Sequence, residues 1–158
     1  MILWYAAGAV FAVWNIFQSA GLDFRTVAIG ALLPLADVVA GEQALAHTLL
    51  APTMVMLLVM LATAGRGRRL ARRRLIGVPI GWYFGVALSG AFANHHVFWW
   101  PALGARFDDA PVWPPLVWAV ALELAGVVAA RWCWSRFGLA DPHRRRAFWR
   151  TGRLGVAT

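Results

Sequence analysis

The sequence contains no lysine, one cysteine and seven acidic residues among 158. A single cysteine cannot form an internal disulfide, so Cys133 does not indicate the redox compartment. The sequence also contains no HExxH, CxxC, GxSxG or Walker-type phosphate-loop motif. Zinc-protease, dithiol, hydrolase-elbow and P-loop chemistries therefore have no support from a motif.

Charged residues of both signs are scarce, and apolar residues dominate. Hydrophobic residues make up 61% of the chain and charged residues 14%, with a mean hydropathy of +0.62. A soluble domain of this size is less apolar than this, so the composition predicts an integral membrane protein. Abundant alanine, glycine and arginine without lysine is typical of a GC-rich bacterial genome, which indicates the bacterial inner membrane.

The arginines account for the net charge of +8 and lie mainly in two segments. Six of the fifteen lie in residues 65–74 and five in residues 141–153. Because these segments flank apolar runs, they follow the positive-inside rule, and we expect no nucleic-acid partner. The residues predicted to fix orientation and contact anionic lipid are Arg68, Arg69, Arg72, Arg73, Arg74, Arg144, Arg145, Arg146 and Trp149.

The apolar runs predict an all-α, polytopic membrane bundle of about five spans. A hydrocarbon core of about 30 Å needs about 20 helical residues, and the predicted spans are 2–18, 24–40, 44–64, 75–93 and 116–134. The second span contains Pro34 and Asp37, which predicts that it is short or kinked. Counting from the basic turn at 65–74 places the N-terminus outside and the C-terminus inside.

We expect residues 1–138 to form the membrane domain and residues 139–158 a basic cytoplasmic tail. Asp141 followed by Pro142 is typical of a helix N-cap and first helical position. Arginines next to Phe148 and Trp149 are typical of an interfacial helix on anionic lipid. The tail is therefore predicted to be a short amphipathic helix.

Acids and histidines lie near the ends of the spans that are opposite to the arginines. Asp37 and His47 are separated by a short loop at the outer surface, so a common site is expected. Together with His95, they are the candidate ligands of a divalent, zinc-like metal. Glu123 and Asp109 are the candidate general bases.

Each of these residues also has a plainer interpretation. His95 and the neighbouring His96 are compatible with solvated loop residues, as are Asp108 and Asp109. A carboxyl group inside a span, such as Glu123, is compatible with a neutral acid that hydrogen-bonds a neighbouring helix. The small residues Gly81, Gly85, Ser89 and Gly90 form a face suited to close helix packing.

The order of several segments carries a family resemblance across nearly the whole chain. These segments are VWNIFQSAGLDFRTVAIGALLPLAD, AHTLL, VMLATAGRGRRLARRRLIGVPIG, VFWWPALG, ELAG and RFGLADPHRRRAFWRTGRL. In this order they resemble actinobacterial members of the YdjM/YbcI-like membrane-bound metal-dependent hydrolase family. The resemblance implies a multi-span membrane protein with a metal site built from an LPD-type segment, an HT or HS pair and an HLxLDG-type segment.

The sequence departs from this pattern at the metal motifs. Asp37 matches one acid of the first motif, although Leu35 stands where another is expected, and His47 matches the HT pair. Gly85 and Ser89 replace the histidine and aspartate of the HLxLDG-type segment. The chain thus resembles a family member that has lost its strongest ligand pair.

Three functions are compatible with these observations. The first is a non-catalytic membrane subunit or scaffold that partners another membrane protein or a second copy of itself. The second is a metal-dependent hydrolase of a lipid or envelope substrate at the outer face. The third is a small transporter or lipid-binding module that uses Glu123 and Asp37.

Overall fold

The structure, a computed structural model, describes residues 1–18, 21–40, 45–65, 67–102 and 114–154. Throughout these ranges the regular structure is helical and no strand occurs, which confirms the all-α prediction. Asp108 and Asp109 lie outside the described residues.

The described segments form nine α-helices and two 3₁₀ turns. The 3₁₀ turns are Leu45–His47 and Ala91–Ala93. The helices are α1 (Ile2–Phe17), α2 (Phe24–Ala31), α3 (Pro34–Ala40), α4 (Leu50–Ala62), α5 (Arg69–Leu75), α6 (Gly77–Leu88), α7 (His95–Phe98), α8 (Leu116–Arg136) and α9 (Pro142–Thr151).

Among the described helices, α8 alone is long and apolar enough to cross a membrane by itself. Its 21 residues rise about 31 Å. Only 6% of the most apolar 18-residue stretch of α8 is buried in the protein, so α8 does not resemble the core helix of a soluble domain. The other four predicted spans are shorter or interrupted helices, and five continuous membrane-length helices are not observed.

Proline explains the interruption of the second predicted span. α2 ends at Ala31, and α3 begins at Pro34, which has no N–H to continue the ladder. Between them the chain tightens to i→i−3 bonds, from the N–H of Leu32 to the Ile29 carbonyl and from the N–H of Leu33 to the Gly30 carbonyl, each 3.1 Å. The span is therefore divided into two short helices, with the break just before its proline.

Glycines allow α2 and α6 to pack with their backbones in contact. A Cβ added at Gly30 would meet the Val78 carbonyl oxygen, and one added at Gly81 would meet the Val27 carbonyl oxygen. A Cβ at Gly85 would lie 3.0 Å from the Ala31 Cα. Small residues at such crossings permit the close approach typical of membrane helices.

Contacts along the helices establish their relative directions. α1 and α8 run in the same direction, because the backbone N–H of Trp4 contacts the Glu123 carboxylate and the Trp14 ring lies 4.8 Å from the Phe137 ring. α2 and α6 run parallel to each other, since Gly77 at the start of α6 lies against Asp23 just before α2. They run opposite to α1, because Trp4 near the start of α1 donates its indole N–H to the carbonyl of Leu88 at the end of α6 at 3.1 Å, and Trp14 near the end of α1 contacts Phe24 at the start of α2.

The fourth helix, α4, runs in the same direction as α1 and α8. The Thr53 hydroxyl lies 2.7 Å from the Tyr83 hydroxyl on α6, and the Thr63 carbonyl accepts from Arg72 at 2.9 Å. The helices therefore share two ends. We call the end with Arg25, α5 and α9 the basic end, and the opposite end, with Asp37, His47, His95 and Glu123, the histidine end.

Large apolar side chains cover much of the outer surface between these ends. So many exposed large apolar side chains on two helices are unusual for a soluble monomer. On α4 and α8 the exposed large apolar residues are Met54, Leu57, Leu58, Met60, Leu61, Leu116, Val117, Trp118, Val120, Leu124, Val127, Val128 and Trp134.

The main buried cluster lies toward the basic end and includes the C-terminal segment. Trp14, Phe24 and Phe137 pack together there, and Leu154 is buried among them at 3% exposure. The helix predicted in the tail is confirmed as α9, with the Asp141 carboxylate accepting from the His143 N–H at 2.8 Å. Leu154, which follows α9, thus anchors the tail to the bundle.

Candidate functional site

The structure brings Asp37 and His47 together at the histidine end. Asp37 lies on α3, one turn after Pro34, and His47 ends the 3₁₀ turn Leu45–His47. The His47 Nδ1 lies 3.1 Å from the Asp37 Oδ2, and the His47 side chain is 4% exposed. The Trp82 indole N–H donates to the Ala46 carbonyl at 2.8 Å and so ties this turn to α6.

This geometry is a hydrogen-bonded carboxylate–histidine pair. A carboxylate on one ring nitrogen fixes the ring orientation and leaves Nε2 as the other functional nitrogen. Asp37 is thus placed to orient His47 through Nδ1, and Nε2 is the ring nitrogen through which His47 could bind a ligand.

The described residues do not by themselves fit the predicted metal centre. A catalytic zinc site uses three protein ligands and a structural one four. In the part of the chain that the structure describes, no three His, Cys, Asp or Glu side chains lie close enough to hold an ion. His95 is exposed in the first turn of α7 and does not complete the pair, while Asp109 lies outside the described ranges.

Gly85 and Ser89, which stand where the sequence resemblance leads us to expect a histidine and an aspartate, have structural contacts. Gly85 packs against the Ala31 backbone, so a histidine there would require α2 and α6 to separate. The Ser89 hydroxyl donates to the Val86 carbonyl at 2.7 Å. The close packing of α2 and α6 and a ligand pair on this face of α6 exclude each other.

Glu123 contacts the first turn of α1. Its two carboxylate oxygens accept from the backbone N–H groups of Leu3 and Trp4 at 3.3 and 3.4 Å, and one oxygen lies 3.2 Å from the Met1 amine. The first backbone N–H groups of a helix have no partner within the helix, so a carboxylate satisfies them. The described contacts place Glu123 as a tie between α8 and α1.

Two of the arginines that were predicted to fix the orientation in the membrane cap the C-terminal end of α4. The Arg68 guanidinium donates to the Ala62 carbonyl at 2.7 Å, and that of Arg72 donates to the Thr63 carbonyl at 2.9 Å. Basic side chains that bind the last carbonyls of a helix stabilise its C-terminus. The others, Arg69, Arg73, Arg74, Arg144, Arg145 and Arg146, are exposed at the basic end, as is Trp149.

A buried ion pair at the basic end was not identified from the sequence. Asp23 precedes α2 and accepts from Arg25 through Oδ1 to Nε at 3.0 Å and Oδ2 to the second guanidinium nitrogen at 2.7 Å. Arg25 also donates to the Trp149 carbonyl at 2.6 Å, and the Phe24 N–H donates to the Gly152 carbonyl at 2.8 Å. An Asp directly before an apolar run is the N-cap signal that would have drawn attention to this position.

The surroundings of Asp23 act on its pKa in two directions. Burial of the carboxyl group raises the pKa, but the hydrogen bonds and positive charge of Arg25 outweigh it, so the pKa lies below its ordinary value. The pair is therefore ionised at neutral pH and holds α9 against the start of α2.

Comparison with protein-family models, with curated proteins and with solved structures finds no match to this chain. The hydrolase-family resemblance therefore stays a prediction from the sequence segments.

Proposed function

We propose that the chain is a multi-pass inner-membrane protein whose five crossings run between the two ends, with the basic end in the cytoplasm. The alternating directions of α1, α2, α4, α6 and α8 support this topology. Arginines held at one end follow the positive-inside rule. In this arrangement four crossings consist of short or broken helices, and α8 forms the fifth.

The backbone at the break between α2 and α3 is compatible with the bilayer. Irregular backbone is tolerated at that depth when its polar groups are satisfied and buried in protein. The N–H groups of Leu32 and Leu33 donate to carbonyls of the preceding turn. Those of Leu35 and Ala36 donate to the carbonyls of Leu32 and Leu33, and Pro34 has no N–H group. The break therefore leaves no described backbone N–H group of this stretch without a partner.

We infer a non-catalytic role for this protein, as a membrane subunit or scaffold. The observation that carries this inference is that three of the four described candidate side chains, those of Asp37, His47 and Glu123, bond the chain itself. Asp37 bonds His47, and Glu123 bonds the start of α1. Side chains that tie helices together in this way stabilise a bundle, and Gly85 leaves no room for the family's missing histidine.

The partner of such a subunit is another membrane protein or a second copy of this chain. α8 packs against α1 and keeps most of its apolar surface exposed. Lipid alone covers such a surface adequately, so the surface permits a partner without requiring one. The assembly state is therefore the property to measure.

The test is the mass of the native assembly. The full chain is purified from its own membrane in a mild detergent, and the protein mass is measured by light scattering after size exclusion. We expect a defined complex heavier than the 17.3 kDa chain. An Asp37→Asn variant should form the same complex, since the pair is structural. A lone monomer for the wild type would contradict the scaffold role.

The buried Asp37–His47 pair favours one second candidate, the metal-dependent hydrolase at the outer face. His47 would then use Nε2, with Asp37 orienting its ring. The distinguishing measurement is the zinc content of purified wild type and His47→Gln protein. One equivalent per wild-type chain, lost in a folded His47→Gln variant, would support the hydrolase over the scaffold.

A further inference from the structure

A cleft of about 200 Å³ lies at the basic end, between the α5 helix and the end of α9. Arg73 and Arg74 form one wall, and Arg150 and Arg153 form the other. The cleft is smaller than the 300–1,000 Å³ pockets that take drug-sized ligands, so its size suits a compact charged group.

The charge in this cleft is not balanced by the described residues. No described carboxylate lies within 4.0 Å of the guanidinium groups of Arg73, Arg74, Arg150 or Arg153. Among the described residues that line the cleft, Asp23 is the one acid, and Arg25 already pairs both of its oxygens. The guanidinium groups therefore repel one another, and an anion between them would remove that repulsion.

Both walls are fixed to the same segment of the chain. The Thr26 hydroxyl lies 2.8 Å from the Arg74 carbonyl, which holds the end of α5. The Phe24 N–H donates to the Gly152 carbonyl at 2.8 Å, which holds the end of α9. The residue after Arg153, Leu154, is buried in the core. The four arginines are thus carried on walls that are positioned before any ligand binds.

Guanidinium groups bind phosphate oxygens through paired N–H donors. Several guanidinium groups around one cleft therefore favour an anion that can accept several hydrogen bonds at once. We propose that this cleft is a phosphate-binding site, which takes the phosphate of an anionic phospholipid headgroup or free phosphate. Leu70 lines the cleft and is exposed, which provides apolar contact for the glycerol and upper acyl region of a lipid. The lipid source rests on the proposed membrane topology, whereas recognition of phosphate does not.

The experiment compares two double variants that each remove two charges. Arg73→Gln/Arg150→Gln alters the cleft, and Arg131→Gln/Arg136→Gln alters exposed arginines of α8 that do not line it. The full chain in neutral detergent is incubated with phosphatidylglycerol or phosphatidylcholine, and retained lipid is counted by native mass spectrometry. Binding of inorganic phosphate is measured by calorimetry and by thermal unfolding against sodium chloride of equal ionic strength.

We expect wild type to retain one phosphatidylglycerol in preference to phosphatidylcholine, or to bind one inorganic phosphate. The cleft variant should bind at least about tenfold more weakly, as expected for losing charge-assisted hydrogen bonds. The control variant should bind within about threefold of wild type, because surface charges contribute little. Displacement of the lipid by inorganic phosphate would identify the headgroup phosphate as the bound group, and binding of phosphate without lipid would identify the free anion.

Two results would overturn the site. Equal losses in both double variants would show a diffuse basic surface, and no binding of either probe to wild type would show no site. Because the wild-type measurements do not depend on any variant folding, the proposal stays testable if the cleft variant is unstable. Free phosphate could bind to a protein whose two ends prove to face the same side of the membrane. That result would overturn the proposed topology and leave the phosphate-binding site supported.

Discussion

The two ends of the bundle use their charged residues in opposite ways. At the histidine end, Asp37 bonds His47, and Glu123 bonds the first turn of α1. At the basic end, Asp23 and Arg25 form one buried pair, while most arginines are exposed and have no described acidic partner. Asp37, His47 and Glu123 thus connect segments of the chain at the histidine end, whereas the basic end leaves most of its described positive charge exposed.

The packing of α2 against α6 holds both ends in place, so Gly81→Ala should destabilise the histidine end and the basic end together. Its Cβ would meet the Val27 carbonyl oxygen, which is backbone and cannot rotate away. We expect a net loss of about 2 to 3 kcal/mol in the free energy of unfolding, since overpacking outweighs the gain in helix propensity. The measurement is unfolding by SDS titration in mixed micelles.

Gly65→Ala is the matched control. A Cβ there lies 3.9 Å from the nearest atom, the Arg68 Cδ, which is an ordinary contact. Its unfolding free energy should stay within about 0.5 kcal/mol of wild type. Equal effects of the two substitutions would contradict the close approach of α2 and α6.

At the basic end, Arg25→Met should release the tail. The substitution leaves the Asp23 carboxylate buried without its cation and removes the bond to the Trp149 carbonyl. We expect a loss of about 2 kcal/mol, below the range for fully buried pairs because Arg25 is partly exposed. Limited proteolysis of the tail should become faster, and Asp23→Asn in the same chain should recover part of the stability. Unchanged proteolysis would show that the pair does not hold α9.

At the histidine end, Asp37→Ala should have a smaller effect that does not reach the tail. It leaves the buried His47 ring without its carboxylate partner, which should reduce the unfolding free energy by about 1 to 2 kcal/mol. His95→Ala, on an exposed histidine of α7, should change it by less than about 0.5 kcal/mol. Thermal unfolding of the two variants side by side checks this, and a larger loss from His95→Ala would be inconsistent with the described pair.

The smallest expected effect is the pH dependence contributed by Asp23. Its folded pKa lies below the ordinary value of 3.8. The stabilisation is therefore complete above that pH, and it is lost as the pH falls from there through the folded pKa. Wild type should lose stability in this acid range, and Asp23→Asn should lose less. Parallel curves for the two proteins would show that Asp23 is not the group that titrates.

The sequence predicts local features better than long-range ones. The helical class and the capped helix α9 follow from apolar runs and from Asp141 before Pro142, and both are confirmed. The break before Pro34 follows from proline chemistry. The proximity of Asp37 and His47 was expected because only a short loop separates their segments.

The features that were missed depend on pairing between distant segments. Nothing local shows that Glu123 meets the start of α1, or that Gly152 meets Phe24. Helix lengths were also overestimated, since apolar runs continue across the breaks before Pro34 and around the 3₁₀ turn Leu45–His47. Hydropathy measures how apolar a segment is and does not register where its hydrogen-bond ladder stops.

The central claim, that the two ends face opposite sides of a membrane, can be tested by cysteine labelling. In a Cys133→Ser background, His95→Cys and Arg69→Cys place one thiol at each end, both at exposed positions. An impermeant maleimide is applied to spheroplasts and to inverted vesicles. We predict that position 95 is labelled only in spheroplasts and position 69 only in inverted vesicles. Labelling of both positions from the same side would contradict the account.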